Sequence, residues 1–285
     1  MAENFSDTED DEVFPDDSQP GLDGIEDALQ TPADAIEPGE AAATAPADDS
    51  YWTVSRTPLT SLVFSLPLVA AYEGGVLLLG RGTPRNGADV WLRHLLDGFG
   101  FGAYFLLPIL MALGLLAWHH VAHDRWRCSP GVLLGMAAES LLWAFLLIGL
   151  ARLQERAWPL DPGWEAAVRA AAAGPLEGLL ERFVGYCGAG LYEEVLFRLL
   201  LLPAVIWLLG KAGLATAGAM LWGVVLTSLA FSAAHYVGPL GDSFALYSFV
   251  FRAIAGVFFS IVFLVRGFGI AAGTHATYDF LVGLL

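Results

Sequence analysis

The first fifty residues contain no lysine and no arginine, although they hold sixteen of the chain's 30 acidic residues. Removing them leaves 14 acidic against 14 basic residues, so the net charge of −16 belongs to this stretch alone. No basic stripe exists elsewhere, which excludes nucleic-acid binding as the main activity. Cysteine is almost missing. Cys128 and Cys187 are the only two, and neither lies in a CxxC or Cys/His spacing, so no disulfide framework or thiolate metal site is indicated. The opening residues lack both a basic n-region and an apolar h-region, so no secretory signal peptide is expected there. The chain also lacks an HExxH zinc motif, a GxSG serine motif with a following histidine, and any repeat of fixed period.

What is abundant is apolar sequence. The hydrophobic fraction is 56% and the mean hydropathy is +0.57, values that fit a helical membrane protein. Apolar segments fall at 58–80, 99–118, 131–150, 186–209, 214–236, 244–265 and 268–285. The expectation is an all-α, polytopic bundle of about seven transmembrane helices, or eight if part of 164–184 inserts. Three regions follow. Residues 1–55 form an acidic tail too poor in apolar groups to fold, though such a tail can recruit a partner. Residues 56–184 hold N-terminal membrane helices and amphipathic interfacial segments, with 81–97 read as a loop. Residues 185–285 hold the remaining spans. The protein is expected in a membrane, most simply the cell membrane, as a multi-pass chain in contact with lipid.

Charge inside such spans is costly, so each ionisable residue needs a partner or a function. Tyr192-Glu193-Glu194-Val195-Leu196-Phe197-Arg198 places two carboxylates and a guanidinium within an apolar run. Glu194 and Arg198 are i,i+4 and can pair on one face. Glu193 lies about 100° round the helix and is free to point elsewhere. Phe231 and His235 share a face of a second span, and His275 and Asp279 share a face of a third. Together these groups suit hydrolysis. A buried glutamate can act as a general base towards water, and a histidine can assist it or donate to an oxyanion. Two histidines and a glutamate (Glu193, His235, His275) are also a hydrolytic zinc set. Spacing alone does not separate a metal from a glutamate-activated water. Glu73, Glu139 and Arg252 are expected to pair among themselves or to snorkel to a surface, with a substrate-gate role as the alternative. His119, His120 and His123 are read as a surface cluster.

Glu193-Glu194-x-x-x-Arg198, Phe231-x-x-x-His235 and His275-x-x-x-Asp279 resemble, in this order, the three motifs of the CPBP family of CAAX-protease and bacteriocin-processing intramembrane endopeptidases, also called the Abi family. The likeness covers residues 185–285, which it marks as a catalytic core. It implies a helical bundle around a cavity and peptide-bond hydrolysis in a membrane-embedded or lipid-anchored protein or peptide. It implies that Glu193 activates the water with His235. By the same likeness, His275 and Asp279 bind the oxyanion or orient the substrate, and Glu194 and Arg198 support the site. No cofactor is then required, with zinc as the alternative. The family often has Asn where this chain has Asp279, and an ionised Asp accepts hydrogen bonds but donates none. Tyr278-Asp279 and Gly238-Pro239-Leu240-Gly241-Asp242 are similar to the motif pair of aspartyl intramembrane proteases, but in reversed order. The competing class is a non-catalytic membrane scaffold or a transporter with a buried ion network. A transporter should show broken helices in paired halves, whereas here the polar motifs gather in the last hundred residues.

Overall fold

A computed structural model describes residues 50–80, 85–100, 105–158, 178–238 and 241–284. The acidic stretch 1–49 and the amphipathic stretch 164–177 lie outside them. Among the described residues every regular element is helical. In chain order these are α1 (Tyr51–Val54), α2 (Pro58–Leu79), α3 (Gly87–Gly98), α4 (Leu106–Val121), α5 (Pro130–Ala157), α6 (Leu179–Gly188), the π-helical segments π1 (Ala189–Glu193) and π2 (Val195–Leu201), α7 (Leu202–Lys211), α8 (Thr216–Ala234), α9 (Leu246–Arg266) and α10 (Phe268–Leu284).

Four of these, α2, α5, α8 and α9, are long and apolar enough to cross a bilayer. The 22 residues of α2 extend ~33 Å, against a hydrocarbon core of about 30 Å. Helix α4 is apolar but shorter, and α6 to α7 run on through the two π segments. The chain is a multi-pass membrane protein. Its polarity is inverted accordingly. Leu78, Leu134 and Leu142 are exposed on the outside, while Glu73, Asp89, Glu194, Arg198, Thr274 and His275 are buried. In water this arrangement would be unfavourable. In lipid it buries polar groups against one another.

The local starts and stops follow from sequence. Thr57 caps α2 by accepting a hydrogen bond from the Thr60 N–H at 3.3 Å, with Pro58 at the first helical position, where its missing N–H costs nothing. Gly267 alone joins α9 to α10. It adopts φ 87°, a positive-φ conformation that residues with a Cβ disfavour. Helix α10 is the hub. It packs on α5, α9, α2, α6 and π1, through a run of small residues that includes Gly269, Ala272, Gly273 and Ala276.

Three readings need correction. The stretch 81–97 is not simply a loop, because α3 occupies Gly87–Gly98. Its charges are spaced for helix: Arg85 and Arg93 each pair with Asp89 at i±4, at 2.7 Å and 2.6 Å. The third span does not stop at 150 but runs to Ala157. His119 is not on the surface. It is fully buried at the end of α4, its ring edge-on to Trp126 at 4.7 Å.

Glu139 and Arg252 are paired, but with Arg266 and Asp242 rather than with each other or with Glu73. Glu139 receives Arg266 Nε at 2.6 Å, Tyr51 Oη at 2.5 Å and Trp143 Nε1 at 3.1 Å, which ties α1, α5 and α9 together. Arg252 pairs with Asp242. Truncating Glu139 to Ala strands the nearly buried Arg266 guanidinium and is expected to cost about 3 kcal/mol. The measurement is the thermal midpoint in detergent; an unchanged midpoint would remove Glu139 as an anchor.

Candidate active site

The Glu-Glu motif lies where the helix changes pitch. Residues 189–201 carry π-type turns on either side of Glu194. Insertions of this kind widen the turn and re-aim side chains, often at functional sites. Gly190 sets how close the neighbouring helix can come. A Cβ there would sit 2.6 Å from the Ala276 backbone nitrogen of α10. With no Cβ in the way, α10 approaches closely enough for His275 to reach Glu194.

The two glutamates diverge. Glu194 is wholly buried. Its Oε1 lies 3.1 Å from Arg198 Nη1 and 2.7 Å from His275 Nδ1. Arg198 also donates to the Gly256 carbonyl at 3.3 Å and sits over the Phe231 ring at 4.3 Å. Glu193 instead accepts from Asn86 Nδ2 through Oε1, at 2.8 Å. Its Oε2 is buried without a hydrogen-bond partner among the described residues. That oxygen faces His235 Nε2 at 3.9 Å and His275 Nε2 at 3.8 Å.

The partners define the tautomers. His235 Nδ1 lies 2.8 Å from the Phe231 carbonyl. A carbonyl only accepts, so Nδ1 carries the proton and Nε2 of the neutral ring presents its lone pair towards Glu193. His275 Nδ1 likewise donates to the Glu194 carboxylate. Its Nε2 lies between Glu193 and Asp279, whose Oδ2 is 3.6 Å away. The His275 ring is stacked on Phe259 at 4.4 Å, which fixes its plane. All six residues singled out from the sequence therefore meet: Glu193, Glu194, Arg198, His235, His275 and Asp279.

Glu193 and His235 line a cavity of about 420 Å³, walled by Arg85, Ala88 and Trp91 from around α3 and by Val237 and Asp242. A larger cavity of about 720 Å³ touches Gly273, Ala276, Thr277 and Phe280. Those positions lie on a different face of α10 from His275 and Asp279, so it is the smaller cavity that Glu193 and His235 face. Among the described residues no group of three or more His, Cys, Asp or Glu has the arrangement of a metal site.

Sequence reasoning missed Asn86, and it did not identify the partners of Glu73. Glu73 Oε1 accepts from Tyr192 Oη at 2.5 Å and from Arg93 Nη2 at 2.8 Å. The legible signal for Asn86 was its cap: Asn86-Gly-Ala-Asp89 is a helix start, with Asp89 in the first turn.

Residues 164–281 match the family described as type II CAAX prenyl endopeptidase, Rce1-like. That match supports assigning the stretch to the CPBP family of CAAX-type proteases. No curated protein and no solved structure gives a match to the chain. The CPBP stretch contains Glu193, Glu194, Arg198, His235, His275 and Asp279, whereas Asn86 and Glu73 precede it. CPBP proteins of this kind are membrane proteases, so the match implies a protease or hydrolase activity for the matched stretch.

Proposed function

We propose that the chain is an intramembrane endopeptidase that cleaves a membrane-embedded or lipid-anchored substrate with water activated by Glu193. The observation that carries this reading is the buried, unpartnered Glu193 Oε2, which faces His235 Nε2 at 3.9 Å. That separation is too long for a hydrogen bond and suits one water between the two groups.

Both groups present lone pairs, so a water between them donates to each. Its oxygen is then free to attack the scissile carbonyl carbon. Glu193 takes the proton, and the carbonyl becomes an oxyanion. His275, when Nε2 carries a proton, donates to that oxyanion. Asp279, 3.6 Å from Nε2, orients the ring. Collapse of the tetrahedral intermediate breaks the C–N bond. The proton held by Glu193 passes to the leaving nitrogen, and the second proton of the water passes to His235, giving one new carboxylate and one new amine. Glu194 and Arg198 do no chemistry in this scheme; they hold His275 and the motif helix. The catalytic core is 185–285, to which 56–184 contributes the helices that close the cavity.

The family description makes a prenylated CAAX peptide the first substrate to try. Protein reconstituted in liposomes is expected to release the C-terminal tripeptide from an internally quenched farnesylated CAAX peptide. No release above that of Glu193→Ala protein, from this peptide or from non-prenylated membrane peptides, would leave the scaffold or transporter reading standing.

Catalysis by carboxylate and imidazole alone requires no metal. Treatment with 1,10-phenanthroline is therefore expected to leave the rate unchanged. Loss of activity that zinc restores, with one bound metal per chain, would replace the glutamate mechanism by a zinc site on Glu193, His235 and His275.

A further inference from the structure

We infer that Asn86 is a positioning residue for Glu193, which makes α3 part of the active site. The inference rests on Glu193 being the base. It starts from an unambiguous amide orientation. Asn86 Oδ1 accepts from the Ala88 and Asp89 N–H groups at 2.9 and 3.4 Å, so Nδ2 must be the atom that meets Glu193 Oε1 at 2.8 Å. One short side chain caps a helix and grips a carboxylate.

The grip is selective. It takes Oε1 and leaves Oε2 facing the two imidazoles. A neutral amide also fixes the carboxylate without forming an ion pair with it, in contrast to the guanidinium on Glu194.

Asn86 is itself held. Its N–H donates to Tyr72 Oη at 3.1 Å, and Tyr72 donates to Asp89 at 2.9 Å. Asp89 takes Arg93 Nε at 2.6 Å. Arg93 reaches Glu73 at 2.8 Å, and Glu73 accepts from Tyr192 at 2.5 Å. Tyr192 precedes Glu193 in the chain. The path leaves the Glu193 side chain, crosses α3 and α2, and returns to the residue beside it. Closed chains of hydrogen bonds of this kind restrain every member, so the carboxylate is located from both its side chain and its backbone.

Two substitutions separate the cap from the grip. Asn86→Ser keeps a good cap but is too short to reach Glu193. Asn86→Gln keeps the amide donor on a longer arm and caps poorly. With the quenched farnesylated CAAX peptide as probe, the Ser variant is expected to lose kcat on the order of 10²-fold, as for a catalytic group displaced by about 1 Å. Its KM and its thermal midpoint in detergent are expected to stay near wild type. The Gln variant should melt lower yet recover about tenfold of that kcat loss. A Ser variant with wild-type kcat, or activities that simply follow the melting order, would overturn the inference. Glu193→Gln serves as the control. If it is active, the base assignment fails whatever Asn86 does; if it is dead while Asn86→Ser is fully active, only the positioning role fails.

Discussion

Glu193→Gln is expected to lower kcat by about 10²–10⁴-fold, the usual contribution of a positioned general base, while the protein inserts and melts as the wild type does. The substitution is nearly isosteric. A Gln Oε1 still accepts from Asn86, so the contact at 2.8 Å survives and the cavity wall keeps its shape. What disappears is the basic oxygen facing His235. Substrate binding depends on the cavity rather than on that oxygen, so KM should change little, and the loss should appear in kcat. Glu193→Ala is a less clean test, because it also strands the Asn86 amide and opens a void. The readout is tripeptide release per mole of protein in liposomes, with the thermal midpoint measured on the same preparation. A Gln variant that turns over at the wild-type rate would remove Glu193 as the base and move attention to His235.

The chemistry of this site was more legible from sequence than its framework. Glu193, Glu194, Arg198, His235, His275 and Asp279 were visible because charge within an apolar run stands out. The local rule that pairs Glu194 with Arg198 at i,i+4 also holds at the ion pair, 3.1 Å. The π turns on either side of Glu194 were not visible. They have no composition signature, and the Gly190–Ala276 approach that accompanies them is a tertiary contact. Asn86 and α3 were hidden for a different reason. Asp89, Arg85 and Arg93 break the hydrophobic pattern and look like a solvated loop. Only with Glu73, Tyr72 and Tyr192 in place do those charges become interior groups with partners. An intramembrane carboxylate such as Glu73 announces that a partner exists, but not which residue it is.

The second large effect concerns stability, and it separates the supporting roles of Arg198 and Glu194. Arg198→Leu is expected to cost about 3–5 kcal/mol, because it leaves the buried Glu194 carboxylate without its cation. Both groups are essentially inaccessible, with Arg198 at 1% and Glu194 at 0% exposure, so water cannot compensate. Leu also forfeits the contact of the guanidinium with the Phe231 ring at 4.3 Å. Changing both residues, Glu194→Leu with Arg198→Leu, removes the charge and its counter-charge together. Buried pairs replaced this way are often neutral in stability, so the double variant should regain much of the lost melting temperature. It should not regain activity. Glu194 is also the acceptor for His275 Nδ1 at 2.7 Å, and without it the ring loses the bond that aims Nε2 at Glu193 and Asp279. The two observables, thermal midpoint and turnover of the farnesylated peptide, should therefore part company. A double variant as unstable as Arg198→Leu would show that packing of the guanidinium, not charge compensation, holds the motif helix. An active double variant would show that His275 is oriented by Phe259 stacking alone, and that Glu194 is dispensable to the reaction.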